Sequence, residues 1–186
     1  MDINYLTLNK RINNSIHKIN DCFIRQCNEN DYNEIIKVQN DIVMDLKESK
    51  NESLFIPTKD EIIKGFLGQD DIYFICAQTP EGICAYSITF FGYNDDYDLS
   101  HHFNGEKVAT CDTVVVLPEF RGNKLQQLLY RVSENEAKKR KFYFISATIS
   151  PDNFHSLNNA FEEGFVIYKT IYYDKLKRYI VYKRLF

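Results

Sequence analysis

The chain has 186 residues, of which 44% are hydrophobic and 15% aromatic, and its formal net charge is −3. This length suffices for one domain with its own core, and the lack of a basic stripe argues against a general nucleic-acid-binding protein. The first twenty residues contain no apolar core of signal-peptide length, and no apolar run in the chain is long enough to span a bilayer. We therefore expect a soluble protein without membrane partners, and the charge argues against nucleic-acid partners.

The five cysteines form neither a disulfide framework nor a zinc site, because their number is odd and no C-x-x-C spacing occurs. Most of them lie in apolar, strand-like runs, where free cysteine behaves as a small buried hydrophobe. We therefore expect a cytoplasmic protein and no bound metal.

The first third of the chain predicts an N-terminal extension followed by a strand and a helix. Residues 1–21 show weak periodicity, so we interpret them as an extension that is partly helical or loosely attached. CFIRQC (22–27) predicts a short strand. Asp31 and Glu34 form a capping-box pattern in front of apolar residues at helical spacing, which predicts a helix over about 31–47.

The next segment predicts a second helix and a β-hairpin. Thr58 and Glu61 repeat the capping pattern, and Gly68 supplies the end of a shorter helix. The β-rich runs at 71–77 and 83–91 are separated by a turn that contains proline and glycine, which predicts a hairpin.

A polar loop, GYNDDYDLSHHFNGEK, follows the hairpin. It contains His101 and His102 near Asp95, Asp96 and Asp98. A metal site is conceivable, but adjacent histidines on a loop point in different directions, so a solvated loop is the better interpretation. Alternatively, the loop borders a ligand pocket, where its carboxylates attract a cation.

A strand-helix-strand unit covers residues 108–149. The strand VATCDTVVV (108–116) leads through a proline into a helix over about 121–140, and 142–149 returns as a buried strand. The crossover rule makes the two strands parallel. The first residues of this helix, Arg121 to Lys124, combine free amides with positive charge, which is typical of a phosphate or pyrophosphate site, although an ordinary crossover helix capped by solvated cations has the same pattern.

The C-terminal part predicts a helix and a second hairpin. Ser150 is the expected cap, Pro151 the first helical residue and Gly164 the end of this helix. The runs at 165–173 and 176–185 then close the chain as two antiparallel strands.

This order of elements, with VVVLPEFRGNKLQ and the later SPDNFHSLNNAFEEGF, resembles the GNAT superfamily of acyl-CoA-dependent N-acyltransferases. The resemblance implies a single GNAT-like domain over residues 22–186 and a mixed α/β fold. In that fold a mostly antiparallel sheet of about seven strands is flanked by about four helices. It also implies transfer of an acetyl group from acetyl-CoA to a small-molecule or protein amine, by a monomer or homodimer.

The resemblance also assigns the cofactor site. Amides at the helix start hold the CoA pyrophosphate, the strand before it pairs with the pantetheine arm, and a later asparagine lies near that arm. The residues in matching positions are Val114, Val115, Val116, Arg121, Gly122, Asn123, Lys124, Leu125, Gln126, Gln127 and Asn153.

Three positions depart from the family pattern. Lys124 and Gln126 replace small residues of the pyrophosphate motif, although amide donors survive any non-proline substitution. Ala160 stands where many members have the tyrosine that protonates the leaving CoA thiolate. Tyr130 is a candidate replacement, and packing among core leucines is the alternative.

Asp112 is the candidate general base, because many members of the family have a glutamate there and a carboxylate inside an apolar strand must be partnered, solvated or raised in pKa. The alternative is a hydrogen-bonded aspartate at the sheet edge. Two other functions stay open: a non-catalytic acyl-CoA-binding or regulatory domain, and a plain α/β interaction domain.

Overall fold

The computed structural model describes residues 6–92, 103, 105–173 and 175–186. Within these residues the chain forms eight strands, which are β1 (Leu6–Ile12), β2 (Ser15–Gln26), β3 (Ile72–Thr79), β4 (Gly82–Phe91), β5 (Val108–Val116), β6 (Phe144–Ile149), β7 (Val166–Tyr173) and β8 (Leu176–Arg184). Four α-helices are described as well: α1 (Tyr32–Glu48), α2 (Asp60–Phe66), α3 (Leu125–Lys139) and α4 (Phe154–Glu162). The described helices include none that is long and apolar enough to cross a membrane.

The strands form one sheet in the order β1-β2-β3-β4-β5-β6-β8-β7. Neighbouring strands are antiparallel except β5 and β6, which are parallel because α3 crosses between them. The predicted mixed α/β fold is confirmed. The described sheet has eight strands instead of about seven, because the N-terminal residues add one.

Helices cover both faces of the sheet, and strand β4 shows which helix lies on which face. The Tyr86 hydroxyl donates to Gln39 of α1 at 3.4 Å, whereas Thr89 donates to Ser133 of α3 at 3.0 Å. Side chains three residues apart on a strand point to opposite faces. Helix α1 therefore lies on one face and α3 on the other, and buried clusters fill both interfaces.

The prediction that the N-terminus is helical or loosely attached is wrong for residues 6–21. Strands β1 and β2 form a hairpin, and β2 pairs with β3 from Phe23 to Gln26. Asn13 and Asn14 have φ of 46° and 64°, the conformation that a two-residue hairpin turn requires and asparagine tolerates. The Asn-Asn pair was thus the signal for this hairpin. The division into an extension and a domain at residue 22 stays a prediction, although β2 runs across it.

The predicted helix caps are largely wrong, although the helices themselves are confirmed. Asn28 and Asp31 form the capping box of a short 3-10 turn before α1, so Glu34 is free to accept from the Ile83 amide at 2.7 Å. Thr58 makes no cap for α2, because its backbone is bonded to the Gln39 side chain. At α4 the cap is Asn153 instead of Ser150.

Candidate active site

A gap opens in the sheet where β5 and β6 separate. The two strands pair from Val108 with Phe144 to Cys111 with Ala147, and no pair follows although β5 continues to Val116. The last residues of β6 pair only with β8 on their other edge. One edge of β5 from 112 to 116 therefore carries backbone groups with no strand beside them in this fully described region, and such an edge accepts an extended ligand.

Backbone alternation identifies the groups that face the gap. The Leu117 amide donates to Cys84 O of β4 at 2.9 Å. Since hydrogen-bonding direction alternates along a strand, Val115 also faces β4, whereas the N–H and C=O groups of Val114 and Val116 face the gap. Of the three predicted pantetheine-contacting valines, these two present backbone groups to it and Val115 does not.

Asp112 lies at the point where the strands separate. Ile88 pairs with Thr113 but Thr89 pairs with Cys111, so Asp112 is the extra residue of a β-bulge in β5. A bulge bends the strand and re-aims a side chain. Asp112 is thereby placed beside the gap.

The carboxyl group of Asp112 has the properties of a base. Its side chain is exposed to solvent, and the Thr113 hydroxyl donates to Oδ2 at 3.0 Å. The protein on the remaining sides of the carboxyl group removes part of its hydration, which raises the pKa of Asp112, and the Thr113 hydrogen bond opposes this shift. A carboxylate that reaches water and has a raised pKa is able to take a proton from an ammonium ion or a water molecule.

The turn between β5 and α3 presents amide groups. The helix begins at Leu125, so the prediction that Arg121 to Lys124 form its first turn is wrong. These residues form a loop with φ of +86° at Gly122 and +58° at Lys124. Successive amides around left-handed residues form an anion-binding concavity.

The helix start adds further free amides. The first intrahelical bond of α3 runs from the Leu128 amide to Lys124 O at 3.0 Å. The amides of Leu125, Gln126 and Gln127 consequently have no acceptor within the helix. The side chains of Leu125 and Gln127 are buried, so only the amides of these two residues are available to a phosphate.

The two cations of the turn, Arg121 and Lys124, differ in their surroundings. The Arg121 guanidinium donates to Asp45 of α1 at 2.8 Å, and it is half exposed. Lys124 is exposed and makes no side-chain cap. Since Asp45 neutralises Arg121, Lys124 supplies the net positive charge of the turn.

The N-terminal hairpin packs against the same turn. The Asn123 side chain accepts from Asn9 N and donates to Asn9 O, both at 2.8 Å, and it donates to Phe120 O at 2.8 Å. A Cβ atom built on Gly122 would lie 3.5 Å from Nη2 of Arg11. Sequence reasoning missed the contacts of Asn123 with Asn9 and of Gly122 with Arg11, because each joins residues more than a hundred positions apart.

Asn123→Ala is expected to lower the free energy of unfolding by about 1–2 kcal/mol, because three partly exposed hydrogen bonds are lost. Chemical denaturation measures this difference. Asn20→Ala, which removes a single exposed side-chain bond to Thr7 in the same hairpin, is the matched control and should cost less. Equal losses of stability in the two variants would show that the hydrogen bonds of Asn123 do not stabilise the contact between the hairpin and the turn.

A polar network joins α3 to α4 beside Tyr130. Gln126 donates to Ser156 Oγ at 2.7 Å and to the Tyr130 hydroxyl at 3.3 Å, and its Oε1 accepts from Asn159 at 2.8 Å. Tyr130 is fully buried together with Ala160, and burial raises its pKa. The phenol therefore stays protonated at neutral pH, which a proton donor requires and a packing residue tolerates.

Asn153 lies at the start of α4. Its Oδ1 accepts from the Ser156 amide at 3.1 Å, which caps the helix. This leaves its side-chain N–H₂ group as a donor. The cap at α4 and the unpaired edge of β5 lie at the C-terminal ends of the parallel strands β6 and β5.

A second polar connection lies on the α1 face and was missed by sequence reasoning. Gln39 is buried and bonds Thr58 twice, at 2.8 and 3.1 Å, and it also accepts from Tyr86. Burial raises the pKa of Tyr86, and the charge of Asp112 raises it further. The detectable signal was a glutamine at a buried helical position of α1.

The polar loop lies mainly outside the described residues. His101, His102, Asp95, Asp96 and Asp98 all fall there. His155 is described and exposed. Among the described residues no group of three or more His, Cys, Asp or Glu side chains is arranged to hold a metal ion.

A gap beside an unpaired strand edge, followed by free amides at a helix start, is the geometry expected of an acyl-CoA site. The profile of the acetyltransferase (GNAT) family matches residues 35–165. The chain belongs to this family. Membership of the GNAT acetyltransferase family supports, in general, the transfer of an acyl group from acetyl-CoA.

Solved structures of GNAT proteins have the same fold. The acetyltransferase of GNAT family from Streptococcus pneumoniae has a TM-score of 0.68 at 15% identity and covers 88% of this chain and 99% of its own. NAA60 of Arabidopsis thaliana, in complex with acetyl-CoA, has a TM-score of 0.71 at 11% identity, with 88% and 98% covered.

The ribosomal-protein-S18-alanine N-acetyltransferase from Escherichia coli has a TM-score of 0.66 at 12% identity, with 88% of this chain and 94% of that chain covered. No curated protein sequence matches this GNAT chain. At these identities the structural matches establish the fold alone.

Proposed function

We propose that this protein is an N-acetyltransferase that transfers the acetyl group of acetyl-CoA to a primary amine by direct attack on the thioester. The observation that carries the proposal is the bulge of β5, which brings a carboxylate of raised pKa to the unpaired strand edge. The free amides at the start of α3 follow on the same chain segment.

The cofactor groups and the chain match in chemistry. Val114 and Val116 offer backbone donors and acceptors to the amides of the pantetheine arm. The turn at 122–124 and the first amides of α3 offer donors to the pyrophosphate, with Lys124 adding charge. Asn153 offers its side-chain N–H₂ group to a pantetheine carbonyl.

In the proposed reaction Asp112 takes a proton from the ammonium group of the acceptor, directly or through water. The amine nitrogen then forms a bond to the thioester carbonyl carbon, and the carbon–sulfur bond breaks. The nitrogen loses its second proton to water while Tyr130, or water, gives a proton to the sulfur. Water then returns a proton to Tyr130, and Asp112 releases its proton to solvent. The products are an N-acetyl amide, free CoA and a net proton.

The proposed setting is the cytoplasm, since all five cysteines are buried and unpaired. The acceptor is a small molecule or a protein amine, and the protein acts as a monomer or homodimer.

The proposal is tested by measuring thiol release from acetyl-CoA with a pooled library of amines, and by identifying the acetylated product by mass spectrometry. Release that depends on the amine supports the proposal. Binding of acetyl-CoA without turnover of any amine would instead indicate a non-catalytic acyl-CoA-binding protein, which the departures at Lys124, Gln126 and Ala160 favour.

Tyr130→Phe tests the proton donor. If the hydroxyl protonates the leaving thiolate, kcat falls about tenfold or more while the acetyl-CoA Kd is unchanged. The matched control is Tyr143→Phe, since Tyr143 is exposed and lies outside the α3–α4 network. Unchanged kcat in Tyr130→Phe would assign Tyr130 to packing against Phe165, whose ring centroid is 5.1 Å away.

A further inference from the structure

Arg178 of β8 is a buried cation that has no anionic partner among the described residues. Its residue is only 5% exposed, and its guanidinium donates to two neutral carbonyl oxygens, those of Lys177 at 2.9 Å and Ser53 at 2.7 Å. In the described part of the chain no carboxylate forms an ion pair with it. By contrast, Arg25 and Arg131 each bind a carboxylate through two nitrogens.

Such an arrangement is costly for the protein alone. Removing a cation from water costs several kcal/mol, and an opposite charge normally offsets this. Loss of hydration lowers the pKa of Arg178, and the charge of Asp152 acts in the opposite direction. The guanidinium of Arg178 has further N–H groups besides the two that donate to Lys177 O and Ser53 O. These groups are suited to bind an anionic group of a ligand.

Arg178 faces the same side of the sheet as Asp112. Along β8, Arg178 shares a face with Tyr182, which pairs with Ser146 of β6. The Ser146 hydroxyl lies 3.4 Å from that of Thr110, which pairs with Phe90 and therefore belongs to the face of the sheet that carries Tyr86. Arg178 also reaches Ser53, in the segment that joins α1 to α2.

The Asp112 carboxylate accepts from the hydroxyl of Thr113, which pairs with Ile88 on the face that carries Tyr86. The charge of Asp112 also acts on Tyr86, whose hydroxyl bonds α1. Asp112 and Arg178 therefore both lie on the face of the sheet that α1 and α2 cover. Strand β6 lies between β5 and β8 and separates from β5 after Cys111, so the gap opens between the strand that carries Asp112 and the strand that carries Arg178.

We propose that the acceptor amine carries a carboxylate, which Arg178 binds while Asp112 receives the amine. This inference rests on the proposed N-acetyltransferase function and names its substrate class. Free amino acids and peptides with an acidic residue at the N-terminus both supply the required pair of groups.

The first experiment uses the wild-type protein, so it does not depend on the folding of a variant. Thiol release from acetyl-CoA is measured with free amino acids, with the corresponding amino acid amides, and with C-terminally amidated peptides beginning with Asp, Glu, Asn or Gln. The expected result is a kcat/KM about tenfold to hundredfold higher for a carboxylate than for its matched amide. A preference among the amino acids would identify the α-carboxylate as the bound group, and a preference among the peptides would identify the side-chain carboxylate of the first residue.

The second experiment asks whether Arg178 causes this preference. Arg178→Gln should abolish the preference, because kcat/KM for the carboxylated acceptor falls to the level of its amide. Arg184→Gln, an exposed position on the same strand, should retain the preference. An equal loss for acid and amide in Arg178→Gln would show that Arg178 only anchors the segment at Ser53.

Equal use of acids and amides by the wild-type protein overturns the inference and leaves the N-acetyltransferase proposal intact. Failure to turn over any amine, with acetyl-CoA bound, overturns both.

Discussion

Asp112→Asn is expected to lower kcat by about a hundredfold or more while leaving the acetyl-CoA Kd unchanged. The amide side chain keeps the shape of the carboxylate and still accepts from the Thr113 hydroxyl, but it takes no proton. The loss is measured by thiol release at saturating acetyl-CoA. Asp41→Asn on the exposed side of α1 is the matched control and should retain full activity.

The pH dependence gives an independent test of the same residue. Asp112 acts as a base only when it is deprotonated, and its pKa is raised, so the activity of the wild-type protein falls as pH decreases through this raised value. The pH–activity profile of Asp112→Asn should lack this decrease at low pH. Wild-type activity in Asp112→Asn, or the same decrease of activity at low pH in the variant, would remove Asp112 from the mechanism.

The same pKa shift predicts the effect on stability. A carboxyl whose folded-state pKa is raised binds a proton more strongly in the folded than in the unfolded protein, so its contribution to stability decreases as pH rises. At pH 7 the Asn variant should therefore melt at the wild-type temperature or slightly above it. This result would separate lost chemistry from lost folding.

Gly122→Ala is expected to weaken acetyl-CoA binding about tenfold and to cost about 1–2 kcal/mol of stability. Gly122 has φ of +86°, which an alanine adopts only with strain. Relief of that strain rotates the amides of the turn away from the pyrophosphate. Isothermal titration with acetyl-CoA measures the affinity.

Gly68→Ala is a matched control for this substitution. Gly68 has φ of +83°, and a Cβ there meets nothing within 4 Å, so the strain is comparable but lies at the end of α2. Both variants should lose similar stability, whereas only Gly122→Ala should lose affinity. The same acetyl-CoA Kd in both would exclude the turn from cofactor binding.

The sequence predicted most elements because hydrophobic periodicity and turn residues are local signals. Strand β5 begins and ends at the predicted residues 108 and 116, and the parallel pairing of β5 and β6 follows from the helix between them. The helix caps were harder to predict, because several side chains were able to form a cap. Asn28 and Asn153 form caps where Asp31 and Ser150 were expected.

The candidate site was only partly predictable. The phosphate-binding turn and Asp112 were visible as a motif and as a carboxylate within an apolar strand. The bulge at Asp112 was not, because it depends on register with β4. The clamp between Asn9 and Asn123 and the contact of Arg178 with Ser53 join residues that are distant in sequence, so no local pattern reveals them.

The melting temperature with and without acetyl-CoA tests most directly whether the gap beside β5 and the amides of α3 form a cofactor site. At a thousandfold excess over its Kd, acetyl-CoA should stabilise the protein by about 4 kcal/mol, which raises Tm by roughly 10 °C for a chain of this size. Inorganic pyrophosphate at the same concentration serves as the anion control and should give a much smaller shift. An unchanged Tm with acetyl-CoA, or an equal shift with pyrophosphate, would contradict the proposed site.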